Sequence, residues 1–145
     1  MNRARLYTQM IVFAVIGAAM LAETSAVAKD KEQAKERFFE MRTYTTHPGK
    51  LDALHQRFRD HTNRIFQKHG MQLVGYWTPT DGETANDTLV YMLAYPSREA
   101  RDKAWKAFRD DPEWQKAFKA SRADGPIVKK VESRFLAPTD YSLIK

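Results

Sequence analysis

The sequence predicts an α+β domain in the ferredoxin-like order βαββαβ: a four-stranded antiparallel sheet with the first and third strands central and the helices on one face. Three observations predict it. Four stretches rich in β-branched and aromatic residues are interleaved with two long amphipathic segments in that order. Glycine or proline punctuates every junction between them. No internal repeat or low-complexity run competes with the pattern.

Residues 1–28 stand apart from the domain. Arg3 and Arg5 precede an apolar run of 13 residues, Met10 to Ala22, and then the small-residue site Ala26-Val27-Ala28. That order is a secretory signal peptide with cleavage expected after Ala28. A membrane anchor would need about 20 apolar residues, and a transit peptide would be Arg- and Ser-rich and amphipathic throughout. Residues 29–37 are a charged lead-in, and 38–145 form one domain.

The first strand runs from Phe38 to about Thr46 and ends at His47-Pro48-Gly49. Leu51, Leu54, Phe58, Ile65 and Phe66 then recur at helical spacing, with Asp52, Gln56, Arg57, Arg59, Asp60, Asn63, Arg64, Gln67 and Lys68 on the other side, until Gly70. Strands are expected over 72–79 and 88–95, separated by the turn-rich "TDGETAND". The second of these is apolar on both faces, as a central strand is. Ser97 is placed to cap a helix whose inward face is Ala100, Ala104, Trp105 and Phe108. Asp111-Pro112 interrupts and restarts it, since proline fits a first turn but not a helix interior. Trp114, Ala117, Phe118 and Ser121 mark the inward face of the shorter helix that follows, which ends near Gly125. A last strand runs from Ile127 to about Ala137, before the tail "PTDYSLIK".

Composition excludes several chemistries. The chain carries a net charge of +6, and +5 without the leader's Arg3, Arg5 and Glu23. Its basic residues are dispersed, which suits a solvated surface and not a nucleic-acid footprint. There is no cysteine, so disulfides, thiolate metal sites, cysteine nucleophiles and a lipidated cysteine are excluded. His47, His55, His61 and His69 are separated by 8, 6 and 8 residues, and none forms the i, i+4 pair that places two imidazoles on one metal. Phosphate-loop, nucleophile-elbow and dinucleotide motifs are absent. No metal and no cofactor is expected. The expected location is periplasmic or secreted, with no membrane attachment after cleavage.

Four separated motifs carry a family resemblance: "FFEMRTYTTHPG", "VGYW", "NDTLVYMLAYPSREAR" and "DPEW". In this order, spanning essentially all of the domain, they resemble the NIPSNAP family. The resemblance implies a dimeric α/β barrel, in which two ferredoxin-like sheets pair with helices outside, and hence a homodimer. It implies no reaction, because none is common to the family. The mitochondrial and organelle quality-control roles of eukaryotic members do not carry over to a chain with an export signal and a single domain.

The first strand raises the main chemical question. With Phe39 and Met41 taken as the side facing the helices, Glu40, Arg42 and Tyr44 fall on the opposite face, which pairing would turn into a barrel interior. The last strand's apolar set, Val131 and Phe135, leaves Glu132 and Arg134 on that same face. Two readings follow: an ion-pair ladder that fixes register and pairing, or a pocket in which Arg42 or Arg134 holds an anion and Glu40 shuttles a proton. Trp77 and Tyr91 complete this candidate ligand-binding set. A second candidate cleft lies between helices and sheet, where His69 and Trp105, with Trp77 and Trp114 as further aromatic surface, could hold haem or an aromatic ligand. Against it, a histidine in a last helical turn often caps carbonyls, and tryptophans at helical spacing are usually core. The expected function is binding of a small molecule or a partner by an exported homodimer. The alternatives are a cofactor-free monooxygenase or isomerase acting on an aromatic or polyketide-like molecule, by analogy with monooxygenases of related dimeric barrels, and a purely structural interaction protein.

Overall fold

The computed structural model describes residues 37–145. The expected leader and all of the lead-in except Arg37 lie outside the described residues. Four strands, β1 (Phe38–Thr46), β2 (Gln72–Trp77), β3 (Thr88–Tyr95) and β4 (Val128–Leu136), form one antiparallel sheet in the order β2-β3-β1-β4. The helices are α1 (Leu51–Arg57), α2 (Asn63–Lys68), α3 (Arg98–Asp110) and α4 (Pro112–Ala120). Order, strand neighbours and central strands match the ferredoxin-like expectation.

Local chemistry explains the boundaries. The Ser97 hydroxyl accepts from Ala100 N at 3.2 Å and caps α3. Asp111 accepts from Glu113 N at 2.8 Å and caps α4, with Pro112 in its first turn. The first long helix continues from α1 to α2 through a π-helical turn, Phe58–Thr62, which helical spacing did not foretell. Within it the Thr62 hydroxyl donates to the Arg57 carbonyl at 3.2 Å. A bulge between Leu73 and Gly75 interrupts β2. There the Trp77 indole lies so close over Gly75 that a Cβ would stand 2.6 Å from its ring, which accounts for glycine in "VGYW".

The core lies between sheet and helices. Leu54, Phe58, Ile65 and Phe66 of the first helical segment meet Leu89, Tyr91, Leu93 and Tyr95 of β3, with Trp105 and Phe108 of α3 completing it. Burying side chains of this size is worth about 1.5–3 kcal/mol each. Val131 and Phe135 of β4 point to this side as expected, yet stay 45% and 42% exposed at the sheet's edge.

The assignment of the β1 faces is overturned. Register pairs Glu40 with Leu93, Arg42 with Tyr91 and Tyr44 with Leu89, all of them core positions, so Glu40, Arg42 and Tyr44 face the helices. Phe39, Met41 and Thr43 take the open face instead. Sequence alone could not decide this, because Phe38 and Tyr44 make the second face as apolar as the first.

Candidate functional site

Glu40 is fully buried at the centre of a hydrogen-bonded cluster. Arg101 of α3 donates to both of its carboxylate oxygens, Nη2 at 2.6 Å and Nε at 2.8 Å. Arg42 Nη1 donates at 2.7 Å, Ser133 Oγ at 2.6 Å and Trp105 Nε1 at 2.9 Å, while the Tyr95 hydroxyl stands at 3.3 Å. Glu132 and Arg134 take no part. They pair in register with Thr43 and Met41 on the open face, where both are exposed, and Glu132 meets Lys130 instead at 3.1 Å. The expected ladder to Glu132 and Arg134 is therefore wrong, because β1 presents its charges to the opposite side.

Electrostatics define what Glu40 can do. Burial alone would raise its pKa, but hydrogen bonds from Arg101, Ser133 and Arg42 outweigh that and hold it down to about 2. A carboxylate so saturated is no base near neutral pH, which removes it as a proton shuttle. Arg42 lies over the Trp105 ring at 4.3 Å and reaches the Tyr44 hydroxyl at 3.4 Å. Burial works against its charge, yet Tyr44, Tyr91 and Glu40 hold its pKa above the usual value. Tyr91 is fully buried, its hydroxyl has no hydrogen-bond partner, and burial pushes the phenol well up.

Beside this cluster a cavity of about 300 Å³ opens between the π turn and the ends of β2 and β3. Phe58, Tyr76, Trp77 and Leu89 supply apolar lining, and His55, Arg59 and Asn63 supply polar groups at helical spacing. Tyr76 stacks on Tyr91 with centroids 5.6 Å apart. The Tyr76 hydroxyl and Asn63 Oδ1 are buried without partners. A hollow that sets aromatic walls beside polar side chains can hold a small ligand, and π turns often mark such places.

The remaining candidates divide. Trp77 sits on the open-face register opposite Val90, is 53% exposed, and lines the cavity. Trp105 belongs to the Glu40 cluster. His69 does not join it: its Nε2 stands 2.7 Å from Asp111 Oδ2, which also accepts from Lys68 at 2.7 Å. Among the described residues His69 and Trp105 are thus held by different partners and do not meet in one cluster. Sequence reasoning missed Arg101, although it lies four residues before Trp105 on the same helical stripe. It also missed Tyr95 and Ser133, and it placed Arg57 outside although Arg57 follows Leu54 by three residues and is only 5% exposed. Among the described residues no cluster of three or more His, Asp or Glu could hold a metal ion, and no helix is long and apolar enough to cross a membrane.

The family model described as NIPSNAP matches residues 39–143. No curated protein matches the chain. Among solved structures, a NIPSNAP domain protein from Burkholderia xenovorans is 27% identical over 72% of this chain and 97% of its own, with a TM-score of 0.62. A NIPSNAP family protein from Agrobacterium tumefaciens, described as having unknown function, is 22% identical over 77% and 96%, with a TM-score of 0.66. SnoaB, a cofactor-independent oxygenase from Streptomyces nogalater, is 14% identical over 76% and 99%, with a TM-score of 0.50. The last two are likenesses of fold.

Proposed function

The chain belongs to the NIPSNAP family, and on that premise we propose that it is an exported, homodimeric protein that binds a small molecule in the cavity between the π turn and the sheet. The observation that carries this reading is the cavity's lining, in which Tyr76 and Asn63 each keep a buried polar atom unpaired. Leaving such an atom unsatisfied costs about 1–3 kcal/mol, a cost that a bound hydroxyl or carbonyl would offset once either side chain turned toward it. The Glu40 cluster is scaffold in this reading: it fixes β1, α3 and β4 around the cavity's neighbour Tyr91.

Pairing is supported by the open face, where Met41, Val90, Met92 and Trp77 would leave apolar surface wet. A second copy covering it should bury about 1,600 Å² in total. Export rests on the leader. Turnover of an aromatic or polyketide-like substrate is the second reading, and His55 is the cavity-lining side chain that could accept a proton.

Native mass spectrometry of protein purified from its own host tests the proposal. The expected species is a dimer of chains beginning at Lys29 that retains a small molecule, and Tyr76→Phe should lose that molecule while remaining dimeric. A monomer that neither retains nor is stabilised by any small molecule would overturn it.

A further inference from the structure

Arg57 is a buried cation without a counter-ion. Its Nη1 reaches only the Ser121 hydroxyl, at 3.3 Å, its Nε has no partner, and no carboxylate pairs with it among the described residues. The guanidinium lies against the paired rings of Trp114 and Phe118, 5.6 and 5.5 Å from their centroids. It borders a groove of about 350 Å³ between the first helix and α4, floored by Ala53, Ala117 and Ala120. Asp60 and Asp124 line the same groove and make no ion pair among the described residues.

The groove therefore offers both signs of charge, unpaired and apart. A simple anion would meet Asp60 and Asp124, and a simple cation would meet Arg57. We propose that this groove binds a small zwitterion of the amino-acid class, its carboxylate on Arg57 and the Ser121 hydroxyl, its ammonium on Asp60 and Asp124. Alanines leave room for a short methylene spacer. The groove is distinct from the cavity under the π turn: His55, Arg59 and Asn63 line one side of the helix, and Ala53, Gln56, Arg57 and Asp60 the other. Either site can exist without the other.

Isothermal titration of the full chain with glycine, 4-aminobutyrate and 6-aminohexanoate, against butyrate and butylammonium, tests it. At least one amino acid should bind about tenfold or more tighter than both singly charged controls, the difference that one charge-assisted contact makes. Asp60→Asn combined with Asp124→Asn, both at exposed positions, should bring that amino acid down to the level of butyrate, and Arg57→Gln should abolish it. Should Arg57→Gln fail to fold, the aspartate variant decides alone. Butyrate binding as tightly as the amino acids, no binding of any probe, or an aspartate variant with unchanged affinity would each overturn the proposal.

Discussion

At the scale of single residues, Glu40 organises the protein, and its partners set the predictions. Removing Arg101 would strip two hydrogen bonds from a buried carboxylate, so Arg101→Ala should cost about 3–5 kcal/mol. Arg134→Ala, on the exposed face, should stay within about 0.5 kcal/mol. Urea unfolding of the two variants checks this, and the opposite ranking would restore the ladder to Arg134. The pH dependence follows from the same group. Because folding lowers the Glu40 pKa from 4.5 to about 2, its contribution is complete above pH 4.5 and is lost as pH falls toward 2. The amount is about 3 kcal/mol, and Glu40→Gln should flatten that part of the stability profile. The charges on β1 were legible in the sequence, but their partners were not. Glu40 is saturated by residues 61 and 93 positions away, a separation that periodicity does not reach, and Arg101 was hidden as one cation among many on an amphipathic helix.

At the scale of elements, sequence and structure agree where local chemistry dictates the outcome. Ser97, Asp111-Pro112 and the turn at His47-Pro48-Gly49 end or begin elements through side-chain caps and backbone geometry within a few residues, and each was placed correctly. Strand faces were different. A strand that is apolar in both phases, as β1 is with Phe38 and Tyr44 against Phe39 and Met41, carries no decisive alternation, so its orientation is set by whichever side offers partners for its charges. The π turn escaped notice because Leu54, Phe58, Ile65 and Phe66 satisfy ordinary helical spacing on either side of it. Capping yields a comparison. Ser97→Ala should cost about 1 kcal/mol, while Asp111→Ala should cost more, since it removes a cap together with the links from Lys68 and His69 that tie α2 to α4. Denaturant midpoints rank the two, and equal losses would mean that those links contribute nothing.

At the scale of the whole molecule, the inverted β1 changes what pairing would join. The charged face is closed within each protomer by helices, so the Glu40 cluster needs no second copy, and the face left for a partner is the apolar one around Met41, Val90 and Met92. In the proposed pairing the cavity beside the π turn would be lined by one chain, with Trp77 at the edge it shares with the partner-facing side. Met41 lies at the middle of the open face, in register with Arg134, so a glutamate there has a cation nearby in its own chain and should leave the protomer folded. The most direct test of this arrangement is the solution mass, by light scattering, of wild type and Met41→Glu at micromolar concentration. A two-chain wild type and a folded, one-chain Met41→Glu are the expected result; a Met41→Glu protein that stays dimeric, or a wild type that is monomeric, would contradict it.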